Sequence, residues 1–281
     1  MKILVISSKK TYVAKRLIAE AKIKNLELKI MDVASLARLK FKVDVGVYDC
    51  LYVRSPYIKG SPRYIPNIVS LAKKFKAAGK KVVDVSIARG RLGEGKWVDY
   101  RRLVKANLPI PKTVVLSRRT IPKYWPFILK WTFGIKGKNV FLIRDQKHFN
   151  EVFKQYPKGE LLVQEFIPAE YEYKIITVGY KALPVVLRFA IHPVTRRPDF
   201  KQHTTLSPWE RGGVRVNKKL RRMIALAQKA SKTLGRELAK VDILEYHGKF
   251  YILEVNRFPG LDSFEQLTKY NVVKDFISYL Q

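Results

Sequence analysis

Apolar and polar positions alternate with two different periods in the first part of the chain. Short apolar runs such as KILVISS and KVVDV are separated by segments of helical periodicity, YVAKRLIAEAKIK and IPNIVSLAKKFKAAGK. Short strands that alternate with amphipathic helices are typical of a parallel sheet covered by helices. The pattern therefore predicts a parallel α/β unit that ends near residue 88, and we place the first domain at 1–90.

The order of the predicted elements changes after this unit. A helix and a strand in GKWVDYRRLVKANLPIPKTVVL precede strands in PFILKW, KNVFLI and GELLVQEFI and a helix around DQKHFNEVFKQY, which predicts a small α+β domain over 91–170. In the third domain, 171–281, strands in YKIITVGY and LPVVLRFAI precede a loop from His192 to Asn217 and a helix from about Lys218 to Leu238. A hairpin and a last helix, NVVKDFISYL, complete it.

The predicted hairpin, DILEYHGKFYILEVN, carries polar groups at unexpected positions. A three-residue loop at 247–249 pairs Asp242 with Glu254, and Asn256 lies on the same side as Glu254 because strand side chains alternate. Carboxylates that face each other are destabilising unless a cation lies between them, and three oxygen donors suit Mg²⁺. The alternative is an amphipathic hairpin with a solvated acidic face.

Two further segments suggest a nucleotide. Lys130 precedes WTFGIKGKNV, whose glycines would let backbone N–H groups approach phosphate, although a basic turn is the simpler alternative. The strand LLVQEFI ends beside Glu165, and Glu172 follows seven residues later. Backbone groups at such a strand end can pair with a purine and a carboxylate can bind ribose, but an ordinary strand with acidic end residues has the same sequence pattern.

Charge narrows the choice of partner. The 281 residues include 56 Lys and Arg against 23 Asp and Glu, which gives a net charge of +33. Such a field attracts nucleic acid, acidic proteins or polyphosphorylated ligands. Lysine enrichment at high temperature is usually matched by glutamate, which does not keep pace here, so we expect an anionic partner. The basic residues are densest in 201–240.

Other compositional features exclude some classes of protein. The single cysteine, Cys50, excludes an internal disulfide, and no apolar run approaches the roughly 18 residues that a membrane span requires. The first residues, MKILVISSKK, have too short an apolar run for a signal peptide. We therefore expect a cytoplasmic protein with no membrane partner.

The chain resembles the ATP-grasp ligases, and among them the RimK-like enzymes. The resemblance is carried by VQEFI, by DFK at 199–201, by the RGG that begins at Arg211, and by the long segment ILEVNRFPGLDSFEQLTKYNVVKDFISYL. It implies an α/β (α+β) ATP-grasp fold with a parallel N-terminal lobe, a small central lid and a C-terminal antiparallel sheet. It also implies a carboxylate–amine ligase that uses ATP and Mg²⁺, with Mn²⁺ as an alternative metal, and proceeds through an acyl-phosphate.

The same resemblance assigns roles to individual residues. Lys96 and Lys130 would hold the ATP phosphates, and Glu172 would bind ribose. The implied adenine hinge is Gln164, Glu165, Phe166 and Ile167; the implied metal ligands are Asp242, Glu254 and Asn256; the implied contacts to the reacting phosphate are Lys174, Arg188 and Arg211. Two positions depart from the family, Lys240 and Arg257, and their charges either contact an anionic acceptor or offset the acidic trio.

The predicted reaction adds an amino acid such as glutamate to an acidic peptide, protein or small molecule that bears a carboxylate. The high positive charge is also compatible with a location close to nucleic acid or to a ribosome. Two other functions fit the sequence: a kinase of the same fold that acts on a polyanionic small molecule, and a nucleic-acid-associated protein that binds ATP.

Overall fold

The computed structural model describes residues 1–54, 62–117, 120–133, 139–156, 161–192, 195–207 and 218–281. Within these residues it contains one parallel and two antiparallel sheets, as the α/β (α+β) prediction requires. Arg211 and the two glycines after it lie outside the described residues. The domain boundaries at 90 and 170 stay predictions, although each sheet falls within one predicted range.

The N-terminal sheet is parallel, with the strand order β2–β1–β3–β4. Its strands are β1 (Lys2–Ile6), β2 (Glu27–Met31), β3 (Cys50–Val53) and β4 (Lys81–Val83), and its helices are α1 (Tyr12–Ile23), α2 (Val33–Arg38), α3 (Ile65–Ala77) and α4 (Val85–Ala88). Alternate residues of β1 enter two separate cores. Ile3 and Val5 pack with α1, whereas Leu4 and Ile6 pack with α2 and α3.

The central sheet is antiparallel, with the order β5–β8–β6–β7. Its elements are α5 (Lys96–Lys105), β5 (Thr113–Val115), β6 (Phe127–Trp131), β7 (Val140–Ile143), α6 (Gln146–Phe153) and β8 (Leu161–Glu165). The buried face of this sheet packs on Phe149 and Val152 of α6. Helix α5 instead contributes Tyr100 and Leu103 to the core of the C-terminal region.

The C-terminal sheet is antiparallel, with the order β11–β10–β9–β12–β13. Its elements are β9 (Tyr171–Val178), β10 (Lys181–Ile191), β11 (Pro198–Leu206), α7 (Lys218–Leu234), β12 (Leu238–Tyr246), β13 (Lys249–Asn256), α8 (Asp262–Thr268) and α9 (Val272–Leu280). Two predictions were wrong here. The predicted loop after His192 contains β11, and α7 ends at Leu234 because Gly235 takes the left-handed conformation, with φ +67°.

The two faces of this sheet have different neighbours. One face, with Ile175 and Val241, packs on α7 and α5. The other face is apolar at one end, where Ile176 and Leu187 join the core that contains β1 and α9, and polar at the other end. The polar end is where the predicted metal ligands lie.

No helix in the described part of the chain is long and apolar enough to cross a membrane.

Candidate active site

The hairpin of β12 and β13 brings Asp242 and Glu254 opposite each other, as predicted. The predicted three-residue loop is wrong: Tyr246 pairs with Lys249 around a two-residue turn, whose residues His247 and Gly248 both have positive φ, 47° and 72°. Such a turn alone would place Asp242 opposite Leu253. A bulge between Asp242 and Ile243 takes up the extra residue and restores the pairing of the two carboxylates.

Lysines surround these carboxylates. Lys174 on the central strand β9 pairs with Asp242 in the ladder, and its Nζ lies 3.7 Å from Asp242 Oδ1. Lys240 Nζ lies at the same distance, 3.7 Å, from that oxygen. Asn256 lies opposite Lys240 and donates from Nδ2 to Asp242 Oδ2 at 3.1 Å. The three predicted metal ligands therefore lie close together on one face of the sheet.

The two predicted phosphate lysines come from the central sheet and its helix. Lys96 is the first residue of α5, and its backbone N–H donates to Thr132 O just beyond β6, at 3.1 Å, which holds the start of α5 beside the end of the strand that carries Lys130. Lys96 Nζ reaches Glu254 Oε1 at 3.1 Å. The contact joins the central region to the metal-ligand hairpin.

Lys130 is buried, and its Nζ lies 3.5 Å from the Tyr100 hydroxyl. Burial lowers the pKa of Lys130 to about 8; the positive charge of Lys96 acts in the same direction, and the carboxylate of Glu254 acts against both. An anion bound next to Lys130 would stabilise its ammonium form and raise its pKa again. The surroundings of Lys130 therefore favour the binding of a negatively charged ligand.

Glu172 and Lys174 form a buried ion pair two residues apart on β9. Burial lowers the pKa of Lys174, but the charges of Asp242 and Glu172 outweigh it, so that the pKa is raised overall. Burial raises the pKa of Glu172. Lys174 is thus held as an ammonium ion between two carboxylates and cannot act as a base near neutral pH.

The oxygen donors fit a divalent cation. Asp242 Oδ1 is buried and accepts no hydrogen bond from the described residues. No group of three His, Cys, Asp or Glu side chains in the described ranges is arranged around a metal position. The predicted donor set is instead two carboxylates and one amide. That set suits Mg²⁺, which leaves several of its positions to water and phosphate oxygens.

The predicted adenine hinge lies at the end of β8. Gln164 is turned into the protein, where its Nε2 donates to Thr113 Oγ1 at 2.8 Å, and the Glu165 backbone N–H donates to Lys112 O at 2.8 Å. Phe166 and Ile167 follow the strand. Ile167 is buried with Leu244, which is two residues from Asp242 on β12. The segment after β8 and the hairpin therefore meet in one apolar cluster.

Arg188 does not lie near the predicted metal ligands and Lys174. It pairs with Tyr173 on β9, one residue out of phase with Lys174, and so lies on the opposite face of the sheet. There its guanidinium lies 4.6 Å from the ring centroid of Tyr171 and donates to Thr204 Oγ1 at 3.3 Å. This placement gives no support to a contact between Arg188 and the reacting phosphate.

Sequence reasoning missed Tyr100. Its hydroxyl donates to Leu253 O at 2.9 Å and lies beside Lys130, so it connects the hairpin bulge to this predicted phosphate lysine. Burial raises its pKa, which keeps the hydroxyl protonated. The signal was available, because Tyr100 lies four residues after Lys96 and residues at this spacing share a helix face.

The two departures from the family pattern have different surroundings. Lys240 lies beside Asp242 and offsets the charge of that carboxylate. Arg257 turns away from it toward the N-terminal sheet, where Nη1 lies 3.6 Å from Asp84 Oδ2 and donates to Ser86 Oγ at 2.8 Å. Arg257 therefore connects the end of β13 to α4.

Comparisons with known proteins agree with this architecture. Residues 94–280 match the RimK-like ATP-grasp domain family. A protein of Cellvibrio japonicus (strain Ueda107) named "Probable alpha-L-glutamate ligase" is 26% identical over 100% of this chain and 95% of its own length.

Solved structures show the same fold. A RimK domain ATP-grasp protein from Sphaerobacter thermophilus DSM 20745 has a TM-score of 0.68 and 18% identity, and the match covers 100% of this chain and 99% of that one. The ATP-grasp ligase PsnB, complexed with a phosphomimetic variant of a minimal precursor, Mg and ADP, has a TM-score of 0.73 and 13% identity, over 100% and 97%.

The predicted ATP-grasp fold is confirmed by these structures, and the prediction of an ATP-dependent carbon–nitrogen ligase is confirmed by the family match together with the named relatives. The chain belongs to the RimK-like ATP-grasp family.

Proposed function

We propose that the protein joins an amino acid, glutamate first among the candidates, to a carboxylate-bearing peptide or protein acceptor at the expense of ATP. The choice of glutamate is supported by the relatives named alpha-L-glutamate ligase. The choice of a peptide acceptor is supported by PsnB, which has been solved with a precursor peptide. The assignment to the family and to the ligase class does not depend on the identity of the amino acid or of the acceptor.

One observation carries the proposal: the carboxylates of Asp242 and Glu254 face each other among several ammonium groups, contributed by the C-terminal sheet and by helix α5. Facing carboxylates repel each other unless cations lie nearby, and here the cations are lysines that a bound phosphate could also recruit. With a nucleotide present, the carboxylates and Asn256 would hold Mg²⁺, which would neutralise phosphate oxygens during transfer.

The chain's own residues address the main barrier, which is repulsion between an anionic carboxylate and an anionic γ-phosphate. Lys96 and Lys130 would donate to phosphate oxygens on one side, and Lys174 supplies a fixed positive charge on the other. Charges that are positioned before reaction stabilise the transferring group without reorganisation.

The proposed sequence has two bond exchanges. The acceptor carboxylate attacks the γ-phosphorus and ADP leaves, which gives an acyl-phosphate. The amine of the second substrate then attacks the acyl carbon, inorganic phosphate leaves, and the amine proton is released. Water must be excluded between these steps, and the segment after β8, where Ile167 shares a buried cluster with Leu244, would help to cover the site.

The proposal is tested by measuring ADP release with each amino acid and a panel of acidic peptides, and by determining product masses. We expect ADP, phosphate and amide in equal amounts with at least one pair. Glu254→Gln should abolish coupling, whereas Lys74→Gln on the exposed face of α3 should leave it unchanged.

The product decides between the proposal and the kinase alternative. A product that retains the phosphate, with no release of inorganic phosphate, would contradict the ligase assignment. Nucleotide turnover that no amino acid stimulates would contradict it equally.

A further inference from the structure

Helix α7 carries an unusual distribution of charge. Its 17 residues include six Lys or Arg and no acidic residue. The buried side consists of Leu220, Met223, Ala227, Ala230, Ser231 and Leu234. We call its exposed side the α7 basic face, made by Lys218, Arg221, Arg222, Lys229 and Lys232, all of which are exposed. Ala225 is also exposed on this side, and Lys219, which is exposed too, lies beside the face and contacts Glu245.

This arrangement costs the helix stability. Cations three or four residues apart, such as Lys218 with Arg222 and Lys229 with Lys232, repel each other. The first two turns are the most basic, where the helix dipole also disfavours cations. The fold therefore does not explain the charges.

Within the described residues, ion pairing relieves little of this repulsion. Lys219 contacts Glu245 Oε2 at 2.5 Å, and the Arg222 guanidinium lies over the Phe250 ring at 5.5 Å from its centroid. The described carboxylates form no ion pair with the five residues of the α7 basic face. An external anion would supply the missing partner.

The face is remote from the reacting groups. Helix α7 packs on the sheet face that carries Val241 and Ile243, whereas Asp242 points to the opposite face. The face is also long, because Lys218 and Lys232 are 14 residues apart, which is about 21 Å at 1.5 Å per residue. A ligand here would extend along the helix and would not occupy the nucleotide site.

We propose that the α7 basic face docks an acidic stretch of a polypeptide acceptor at a distance from the carboxylate that reacts. This inference rests on the proposed function for the nature of the acceptor. An acidic peptide matches the face in charge and can follow its length, since about seven extended residues at roughly 3.3 Å each span it. The face exposes no aromatic side chain on which bases could stack, which favours a peptide over single-stranded nucleic acid.

The test measures fluorescence anisotropy with a labelled peptide of about ten glutamates, long enough at roughly 3.3 Å per residue to cover the face. The test variant is Arg221→Glu/Lys229→Glu/Lys232→Glu. The matched control is Lys73→Glu/Lys74→Glu/Lys76→Glu, which changes the net charge equally on the exposed side of α3. We expect the test variant to bind about tenfold or more weakly, because several charge contacts are reversed, and the control to bind within about threefold of the unchanged protein.

The location of the effect decides the outcome. Equal losses in both variants would mean that only the overall field attracts the peptide and would overturn the proposal. Absence of peptide binding by the unchanged protein would overturn it as well, as would a uridine oligonucleotide of equal charge that binds more tightly and loses more affinity in the test variant. If the test variant unfolds, the neutral Arg221→Gln/Lys229→Gln/Lys232→Gln replaces it.

A second measurement separates this proposal from the proposed function. ADP release with a short acceptor, too small to reach α7, should be the same in the test variant as in the unchanged protein. If no variant forms amide with any acceptor but the peptide still binds at α7, the proposed function fails and the docking surface stands. If amide forms and the α7 variants bind peptide normally, only the docking surface fails.

Discussion

Asp242 and Glu254 lie directly opposite each other across β12 and β13, yet each carboxylate contacts a lysine: Lys174 and Lys240 approach Asp242, and Lys96 approaches Glu254. The repulsion between the two acids is therefore offset within the protein before any ligand binds. A metal ion alone would have to displace ammonium groups, whereas metal and phosphate together offer those groups new partners.

This balance predicts a cooperative effect on thermal stability. Mg²⁺ alone should change the melting temperature little, whereas Mg²⁺ with ADP should raise it by several degrees, since a ligand at about 100 times its Kd stabilises by roughly 2.7 kcal/mol. Glu254→Gln should lose most of that increase, and Lys74→Gln should keep it. A large shift with Mg²⁺ alone would contradict the predicted balance.

The buried ammonium of Lys130 predicts a pH dependence of nucleotide binding. Its pKa of about 8 in the ligand-free protein lies below the ordinary value for lysine, so its charge is lost as the pH rises through 8. ATP affinity, measured by calorimetry without acceptor, should fall above pH 8 by up to about tenfold per pH unit. Lys130→Arg should flatten the profile, because arginine stays charged. The same slope in both proteins would exclude Lys130 as its cause.

Asp84 predicts a second pH dependence, this time of folding. Burial raises the pKa of Asp84 to about 7, despite the nearby charge of Arg257. The folded protein thus binds one more proton than the unfolded chain between about pH 4 and 7, and this contribution to stability is lost as the pH rises through that window. Asp84→Asn removes the titration. Its stability relative to the unchanged protein should increase from pH 5 to pH 8 in urea unfolding, and a constant difference would contradict the assignment.

A side chain at Gly179 should clash with Tyr279, and substitution of a second glycine, Gly79, measures the backbone cost without that clash. Its φ is +56°, and an added Cβ would lie 2.5 Å from the Tyr279 ring of α9. Gly79 has a similar φ of +71° with no atom within 4 Å of the added Cβ. Gly79→Ala should cost about 1–2 kcal/mol for the left-handed backbone alone, and Gly179→Ala should cost about 1–3 kcal/mol more for the clash. Equal losses of free energy of unfolding would mean that Tyr279 moves aside freely.

The pairing of Asp242 with Glu254 was predicted correctly from the sequence, although the turn between their strands was predicted incorrectly. Period-two alternation placed Glu254 and Asn256 on one side, and a three-residue loop would have aligned Glu254 with Asp242. The chain instead uses a tighter turn and recovers the same alignment with a bulge, which no local sequence signal marked. The register at Asp242 depends on the number of residues in the turn plus the extra residue in the bulge. The positions of the polar residues predict this total and do not show how it is divided between turn and bulge.

Other features needed tertiary information. Strand β11 is mostly exposed and polar, so its residues lack the alternation that identifies a strand, and it forms because β10 offers a free edge. The face on which Arg188 lies follows from its pairing with Tyr173, which the sequence of a single strand does not reveal. Lys96 and Lys130, by contrast, were assigned from the resemblance, and the start of α5 lies beside the end of β6.

The packing of helix α9 has a consequence for synthesis of the chain. Phe276 of α9 lies 4.7 Å, centroid to centroid, from Tyr52 of β3, in the same core as Ile3 and Val5. Strand β1 is thus covered by a helix translated more than 250 residues later. Until then the part of this side that α1 does not cover stays exposed as an apolar surface, and a chaperone that shields it during translation would raise the yield of native protein.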